Sequence, residues 1–433
     1  MFRKYRALPL SFIVMLALTV SGCSTNSDGS AEQMAKNKAA SIGNEAPVEI
    51  SFWNPFGGGE GDFVEQIVKG FNVSQREIFV KQLRLESNEY YVKLSTALSS
   101  GKGPDVAVAH VDRMSPFVKA KQIVPLDGLA GENGFDFKEI EESNLRSVSF
   151  SGKPYAVPLD THFHMLYYNK AILKKAGLLN EDETPKLGEA SPEGFIRMLT
   201  QIQAKVAGVQ PFAVNTPYFQ EPFLNLYYEA GGELLNSDMS KAAIHNEKAL
   251  SVLKFYQQLY ANHLSDLNDK TPWDSFHEGE AALWFGGVWE AGHHLSEKSL
   301  PVGMMPLPPI FGSFSHWGSS HTLVVPAYVT KAKQRAAMVF MKYFSEVGSK
   351  TWGLAGHVPA NRAVLQSEEY QQLPYRKLFI EDQHHVKFAP QTDKYATIFT
   401  TLSEDLQSIV LGGLDPEAGL AMLEKKINEI LAN

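Results

Sequence analysis

The side chains that could perform chemistry in this 433-residue chain do not form a common catalytic pattern. The sequence contains no G-x-S-x-G elbow, no P-loop and no dinucleotide-binding fingerprint. His277-Glu278 begins like a zinc-protease helix, but Ala281 stands where the second histidine would be required. Carboxylates are plentiful, and a glycosidase pair stays open because such a pair is defined by its separation in space. The lack of these catalytic signatures favours a binding protein over an enzyme.

The thirteen histidines are the second group with chemical potential. His162 and His164 are two residues apart, so on a strand they share a face, and a metal site there is conceivable. No Asp or Glu accompanies them at a characteristic ligand spacing, and hydrogen bonding is the preferred role. We predict no metal and no other cofactor. The doublets at 293–294 and 384–385 are expected on the surface.

The first twenty-two residues have the three-part pattern of a secretory signal. Arg3, Lys4 and Arg6 supply the positive charge, and an apolar run over residues 7–20 follows. That run is shorter than the ~20 residues of a spanning helix, which argues against a permanent membrane segment. We therefore predict export and removal of residues 1–22.

Cys23, the only cysteine, directly follows the small pair Ser21-Gly22. This arrangement resembles a bacterial lipobox, and the alternative is an ordinary signal beside a chance cysteine. The lipobox implies acyl chains on Cys23 that hold the protein at the outer face of the cytoplasmic membrane. Residues 24–47 are rich in Ser, Asn, Ala and Lys, so we expect a flexible tether there.

Composition and charge narrow the class further. The chain is 44% hydrophobic and 20% charged, as in a globular protein, and its length favours two lobes over one core. Removing the signal deletes three positive charges and moves the net charge from −8 to −11. Such an acidic chain has no electrostatic footprint for nucleic acid.

Strands and helices alternate in the first part of the folded chain. Residues 48–53, 78–85 and 105–109 have the apolar, β-prone character of short strands. Helices are predicted between them, one starting at the N-cap residue Asp62 and one over residues 90–98. This alternation predicts a doubly wound, parallel α/β sheet.

The alternation resumes further along the chain. Ser191 and Pro192 supply an N-cap and a first-turn proline for a helix to residue 207. Further strands are predicted at 212–214, 281–285 and 321–325, and further helices at 221–230, 246–261, 332–344 and 416–431. No linker follows residue 47, so the chain should cross between two lobes more than once and form a hinged cleft.

A series of short, distinctive segments occurs in a fixed order between residue 50 and residue 360. Among them are Ile50-Ser51-Phe52-Trp53, Gly103-Pro104-Asp105-Val106, Tyr155-Ala156-Val157-Pro158, Tyr167-Tyr168-Asn169-Lys170, Gly287-Val288-Trp289 and Gly356-His357-Val358-Pro359-Ala360. Together they resemble the extracellular sugar-binding lipoproteins of bacterial ABC importers, the group that includes the maltodextrin-binding proteins. Each segment is weak by itself, and the ordered set is specific.

The resemblance implies a type II periplasmic-binding-protein fold, an α/β fold in which doubly wound sheets with helices on both faces flank a hinged cleft. It assigns residues 48–158 plus about 320–358 to one lobe and 159–319 plus about 359–433 to the other. It also implies a non-enzymatic receptor that captures a carbohydrate and delivers it to the permease subunits of an importer. The several tryptophans favour an oligosaccharide over a monosaccharide as the ligand. We expect the protein to be a monomer.

A sugar presents apolar C–H faces and a rim of hydroxyls, so its site needs flat rings and charged or amide groups. The resemblance places such groups at positions matching the family's ligand loops: Trp53, Asn54, Asp112, Arg113, Asp160, His162, Tyr218, Trp289, Trp317 and His321. His110 is a weaker candidate, and Trp284 and Trp352 are assigned to the core.

Several candidates have a structural alternative. The alternative role of Trp53 is a ring in the hydrophobic core, and that of Asp112 is the N-cap of a helix. The alternative role of His321 is a hydrogen bond at the hinge. His162 stands where maltodextrin binders carry a glutamate, which leaves the sugar open. A surface glycosidase, and a metal or peptide receptor on the same fold, are the alternative functions.

Overall fold

The computed structural model describes residues 46–85, 87–214, 218–266, 270–296 and 300–433. Pro47–Asn433 forms one compact unit. The predicted signal peptide, Cys23 and nearly all of the predicted tether lie outside the described residues and stay predictions. Within the described ranges, no helix has both the length and the apolarity needed to cross a membrane.

Strands and helices alternate along the described chain. The strands are β1 (Val48–Asn54), β2 (Ile78–Arg84), β3 (Val106–His110), β4 (Ser149–Phe150), β5 (Lys153–Pro154), β6 (Val157–Pro158), β7 (Asp160–Asn169), β8 (Gln210–Ala213), β9 (Ala281–Gly287), β10 (Val302–Met305), β11 (His316–Ser319), β12 (His321–Val324), β13 (Val358–Pro359) and β14 (Val386–Lys387). The helices are α1 (Gly58–Ser74), α2 (Ser87–Ser100), α3 (Val111–Lys119), α4 (Asp127–Glu132), α5 (Glu142–Ser147), α6 (Lys170–Ala176), α7 (Pro192–Lys205), α8 (Gln220–Glu229), α9 (Glu247–Ala261), α10 (Pro272–His277), α11 (Ala291–Ser296), α12 (Lys331–Tyr343), α13 (Ser349–Ala355), α14 (Arg362–Leu365), α15 (Glu368–Gln371), α16 (Arg376–Asp382), α17 (Tyr395–Leu411) and α18 (Pro416–Ala432).

One five-stranded sheet, called the β1 sheet below, has the order β2-β1-β3-β12-β6. β1 is parallel to β2 and β3, because α1 and α2 provide the crossovers that parallel neighbours need. β12 is antiparallel to β3 and β6, since the chain enters it on its return from the second sheet. This pairing sets His321, at the start of β12, opposite His110, at the end of β3.

The second sheet, called the β7 sheet, has the order β14-β11-β7-β9-β8, and β10 and β13 also pair with β7. All ten residues of β7 are buried. Successive side chains point to opposite faces, so Leu166 and Tyr168 enter one hydrophobic cluster while Met165 and Tyr167 enter another. β7 is therefore the central strand of this half of the molecule.

Two of the passages between the two sheets occur at single residues. The chain leaves β6 and enters β7 across Leu159, and it leaves β11 and enters β12 across Ser320. Polar residues lie directly beside these passages, among them Asp160, His162 and His321, and all three are buried. The passages thus bring a set of titratable groups to the junction of the sheets.

Two predictions of local structure are wrong. Helix α1 begins at Gly58, before Asp62, because packing of its apolar face, including Val64 and Phe71, outweighs the low helix propensity of the glycines. In the doublet at 293–294, His293 is exposed but His294 is buried, because its ring packs near Tyr167, Trp273 and Phe276. The doublet at 384–385 is exposed, as predicted.

Candidate functional site

A cleft of about 570 Å³ lies between residues carried by the β1 sheet and residues carried by the β7 sheet. Helices α1, α2 and α3, which follow strands of the β1 sheet, contribute what we call the polar wall: Glu60, Tyr91, Asp112 and Arg113. Strand β11 of the β7 sheet and the segments packed beside that sheet contribute the aromatic wall: Tyr218, Trp289, Trp317 and Phe399. The floor between the walls includes His110, His162 and His321.

The buried carboxylate of Asp160 lies behind the floor and contacts two of its histidines, His162 and His321. Its Oδ1 accepts the backbone N–H of His321 at 3.1 Å and contacts Nδ1 of His162 at 2.9 Å. Its Oδ2 accepts Nε1–H of Trp352 at 2.6 Å and contacts Nδ1 of His321 at 2.8 Å. Asp160 itself is fully buried and does not line the cleft.

The charge state of this group follows from its surroundings. Burial opposes ionisation of Asp160, but the neighbouring imidazoles hold the pKa of its carboxyl well below the usual range. Burial lowers the pKa of His321 to about 3, against the attraction of Asp160. Near pH 7 the carboxylate is ionised and His321 is neutral. With Nδ1 donating to Asp160, Nε2 of this ring is left as a hydrogen-bond acceptor.

The aromatic wall is fixed by packing. Trp289 lies in the 3₁₀ turn Val288–Glu290 after β9, and its indole folds back over Gly287, where an added Cβ would come within 2.2 Å of the ring. Trp317 of β11 stacks with Phe399 of α17, with centroids 6.2 Å apart and an interplanar angle of 19°. Two ring platforms from separate elements therefore face the cleft.

His164 and Asn225 support these two indoles from behind. The His164 ring lies 5.5 Å from Trp289 and 5.4 Å from Trp317, centroid to centroid. Asn225 contacts Nδ1 of His164 at 2.9 Å and accepts the backbone N–H of Trp317 at 3.1 Å. Burial lowers the pKa of His164 to about 3, so this supporting ring is uncharged near pH 7.

The polar wall is held by pairwise contacts. Asp112 and Arg113 begin helix α3 directly after β3, and the Arg113 Nε lies 3.4 Å from Oδ2 of Asp112. The guanidinium also sits 5.2 Å from the centroid of the Tyr91 ring. Tyr91 accepts the backbone N–H of His110 at 2.9 Å and contacts the His110 ring through its hydroxyl.

Two carboxyl groups of the cleft have raised pKa values. Burial raises the pKa of Glu60 to about 8, and it raises the pKa of Glu221 to about 8 with a smaller contribution from Asp112. Both groups are therefore largely protonated near pH 7. A protonated carboxyl both donates and accepts, which suits a partner rich in hydroxyl groups.

The structure brings seven of the ten candidate ligand residues together along the cleft: Asp112, Arg113, His162, Tyr218, Trp289, Trp317 and His321. The other three do not line it. Trp53 packs against the hydrophobic cluster of the β1 sheet. Asn54 is fully buried, and its Oδ1 accepts the backbone N–H of Phe56 at 3.3 Å. Asp160 lies behind the floor, as described above.

Several cleft residues were missed from the sequence: Phe56, Glu60, Tyr91, Gln220, Phe399 and Glu404. Most lie on helices whose place beside the cleft is set by tertiary packing. A weak signal existed for Glu60 and Phe56, which flank the glycine-rich segment after β1. Nothing local distinguishes Phe399 of α17 from the other apolar residues of that helix.

One group of side chains has a donor set that suits a metal. Asp160, His162, His321 and His357 each offer one ligand atom, and these atoms lie within 4.8 Å of one another. The sequence-based argument against a metal assumed that no carboxylate accompanies the histidines. The structure contradicts that assumption, because Asp160 lies between three imidazoles.

The sequence profile of the family described as bacterial extracellular solute-binding protein matches residues 66–377, well over half of the chain. The arabinooligosaccharide-binding protein of Bacillus subtilis is 25% identical over 393 residues, covering 85% of this chain and 83% of that protein. The similarity thus extends over more than four fifths of both proteins.

Solved structures resemble the fold closely. The GacH receptor of Streptomyces glaucescens, studied with acarbose, has a TM-score of 0.79 and 20% identity over 90% of this chain and 100% of its own. UgpB of Mycobacterium tuberculosis, in complex with glycerophosphocholine, has a TM-score of 0.77 and 20% identity over 90% of this chain and 99% of its own. These likenesses confirm the predicted two-lobed α/β fold class.

Proposed function

The chain belongs to the bacterial extracellular solute-binding proteins, and on this premise we propose that it captures a carbohydrate for an ABC-type importer. The ligand is an oligosaccharide held between the polar and the aromatic wall. The chain acts as a monomeric receptor and hands its ligand to the permease subunits. Family membership makes it an exported protein.

The observation that carries this proposal is the convergence of two kinds of surface on one cleft. Trp289 and Trp317 present flat rings for the apolar faces of sugars, and Asp112 and Arg113 present charged groups for hydroxyls. A cleft of about 570 Å³ has the size of a small-molecule site. Stacking platforms after the end of β9 and on β11 favour a ligand of more than one ring.

The charge of the cleft favours a neutral or amino sugar over a phosphorylated ligand. Glu60 and Glu221 are largely protonated near pH 7, so the charged side chains that line it are the carboxylates of Asp112 and Glu404 and the guanidinium of Arg113. That guanidinium already has a carboxylate neighbour in Asp112. A phosphodiester such as the ligand of UgpB would meet more repulsion than attraction here, since like charges in a shared site are unfavourable.

A thermal-shift screen tests the ligand class. Neutral oligosaccharides, amino sugars, glycerophosphodiesters and short peptides are each added to the purified protein. A ligand that binds only the native state raises the free energy of unfolding by mass action, by about 2.7 kcal/mol at a ligand concentration 100-fold above Kd. The melting temperature rises as a result. We expect a shift with at least one oligosaccharide and none with the phosphodiesters or peptides. A shift with peptides alone would overturn the carbohydrate proposal.

A glycoside hydrolase is the competing function, because carboxyl groups line the cleft. We propose that none of them cleaves the ligand, in keeping with a family of binding proteins. Prolonged incubation with the bound oligosaccharide, followed by chromatography, should return the sugar unchanged. Release of shorter sugars that stops in Glu221→Gln or Glu60→Gln would establish the hydrolase instead.

Anchoring is a separate proposal that rests on the lipobox resemblance. We propose that Cys23 carries lipid and keeps the protein on the outer face of the cytoplasmic membrane. The variant Cys23→Ala should appear in the soluble extracellular or periplasmic fraction. Retention of that variant in the membrane fraction would place the anchor elsewhere.

A further inference from the structure

The floor of the cleft has a second capacity that does not depend on sugar. We propose that Asp160, His162, His321 and His357 bind a zinc-class divalent metal ion that ties the β1 sheet to the β7 sheet. One ligand atom from each of the four lies within 4.8 Å of the others. Four-coordinate zinc with bonds of about 2.0–2.1 Å spaces its ligand atoms roughly 3.4 Å apart, so this set is close to the required spacing.

The donor types select the metal. Three imidazole nitrogens and one carboxylate oxygen match zinc, whereas calcium and magnesium require sites made mainly of oxygen. All four side chains are nearly or fully buried, the most exposed being His321 at 6%. A buried set with four protein ligands leaves no open position, which is typical of a structural rather than a catalytic ion.

His357 gives an independent reason for an ion at this place. Its ring is fully buried, and its Nδ1 has no hydrogen-bond partner. That atom nevertheless faces Oδ2 of Asp160 at a distance of 3.4 Å. Buried polar atoms are nearly always paired, so an unpaired nitrogen aimed at a carboxylate needs an explanation. An ion between the two atoms supplies the partner that this nitrogen lacks.

The surroundings hold two of the four side chains, those of His357 and Asp160, in position for an ion. Nε2 of His357 contacts Oε1 of Glu60 at 2.7 Å, and metal-binding histidines characteristically pair their second nitrogen with an oxygen of a neighbouring group. The His357 ring also stacks on Trp352 at 4.0 Å with an interplanar angle of 6°. The same indole donates to Oδ2 of Asp160 at 2.6 Å. Two ligands are therefore oriented by one tryptophan.

A hydrogen-bond network without metal accounts for only part of this arrangement. It explains the contacts of His162 and His321 with Asp160, but it leaves Nδ1 of His357 unpaired. A second histidine cluster, His277, His293 and His294, has ring centroids 5.1–5.8 Å apart. Within the described residues that cluster does not gather a comparable set of ligand atoms, and it serves as an internal comparison.

An ion at this site would join the sheets at their junction. Asp160 and His162 begin β7, while His321 begins β12 of the other sheet. Binding to the native state alone would raise the melting temperature as the metal concentration rises.

Metal titration of the purified protein tests the proposal. The protein is stripped with a chelator, dialysed, and titrated with Zn²⁺ and separately with Co²⁺. We expect one ion per chain, a higher melting temperature, and the visible absorption of four-coordinate cobalt. His357→Gln should weaken Zn²⁺ binding at least about 100-fold. His384→Gln, in an exposed doublet, is the matched control and should bind as the wild type does.

Far-UV circular dichroism establishes that each variant is folded. If His357→Gln fails to fold, Glu60→Gln replaces it, with binding expected to be about 10-fold weaker because only the supporting contact is lost. Binding that is absent in the wild type, unchanged in His357→Gln, or lost in His294→Gln instead would overturn the proposal. These readouts involve no saccharide, so they stand apart from the test of the proposed function.

Discussion

The two walls of the cleft are held in different ways. On the aromatic wall, Trp317 is packed against Phe399 and His164, and Trp289 lies over Gly287. On the polar wall, Asp112 and Arg113 mainly hold each other, and their side chains are 14% and 29% exposed. A ligand cannot displace the packed rings, but it can replace the contact between the two charged groups.

This difference suggests a division of roles. Rigid rings offer large contact area at little entropic cost, so the aromatic wall should supply affinity for saccharides in general. Adjustable charged groups give strong, directional hydrogen bonds, so the polar wall should select among hydroxyl patterns. Substitutions on either wall can separate the two roles.

Trp289→Ala should remove the main platform of the aromatic wall. We expect binding of the oligosaccharide to weaken at least tenfold, a loss on the order of 1–3 kcal/mol. Calorimetric titration measures the change. Phe314→Ala is the control, since Phe314 is an aromatic residue that is 49% exposed and lies outside the cleft. Equal affinity in Trp289→Ala and the wild type would remove Trp289 from the site.

Gly287→Ala should disturb the same platform without deleting it. The new methyl would sit within 2.2 Å of the indole of Trp289, so the ring must move. We expect a loss of about 1 kcal/mol, roughly fivefold in Kd. Gly128→Ala is matched to it, because a Cβ at Gly128 meets nothing within 4 Å. An unaltered Kd in Gly287→Ala would show that the orientation of the ring is unimportant.

Asp112→Asn should affect selection more than affinity. The variant keeps the shape of the side chain and loses its charge, so hydrogen bonds of about 1.5–3 kcal/mol become neutral ones of roughly half that strength. We expect binding to weaken a few fold and the order of preference within an oligosaccharide panel to change. Asp127→Asn, whose side chain is 51% exposed, controls for the change in net charge. A uniform loss across the panel would contradict a selective role.

Glu229→Gln should change stability and leave binding unaffected. Glu221 and Glu229 lie at opposite ends of α8, and burial raises the pKa of each to about 8, but only Glu221 lines the cleft. Between pH 4.5 and about 8 the native Glu229 holds a proton that the unfolded chain releases, so stability falls as pH rises through this window.

Denaturation curves across that range measure the slope for wild type and variant. Replacing Glu229 by the neutral glutamine should flatten the decline and leave the Kd for sugar unchanged. A slope equal to that of the wild type would mean that the proton of Glu229 does not contribute to it.

Local signals in the sequence predicted many of the elements well. Ser191 caps α7 through its side chain, which accepts the backbone N–H of Gly194 at 3.0 Å, and Asn246 caps α9 in the same manner. These caps could be read directly because their chemistry involves neighbouring residues only. The start of α1 was misplaced because packing on the sheet, which the sequence does not display, decided it.

The site was less predictable than the fold. Residues that follow strand ends, such as Trp289 and Asp112, could be anticipated, because strand ends of neighbouring elements converge. Asp160 was expected to face the ligand, but β7 is buried on both faces, so the hydrophobic pattern gave no indication of which way its carboxylate turns. Tyr91 and Phe399 reach the cleft from helices, and their contribution depends entirely on how those helices pack.

The most direct test of the account is calorimetric titration of the wild type, Trp289→Ala and Asp112→Asn with the oligosaccharide that gives the largest thermal shift. If both walls hold the same molecule, the wild type binds one oligosaccharide per chain and each variant binds it more weakly, Trp289→Ala most of all. Affinities that are the same in all three proteins would contradict the account, because the sugar would then bind outside the cleft.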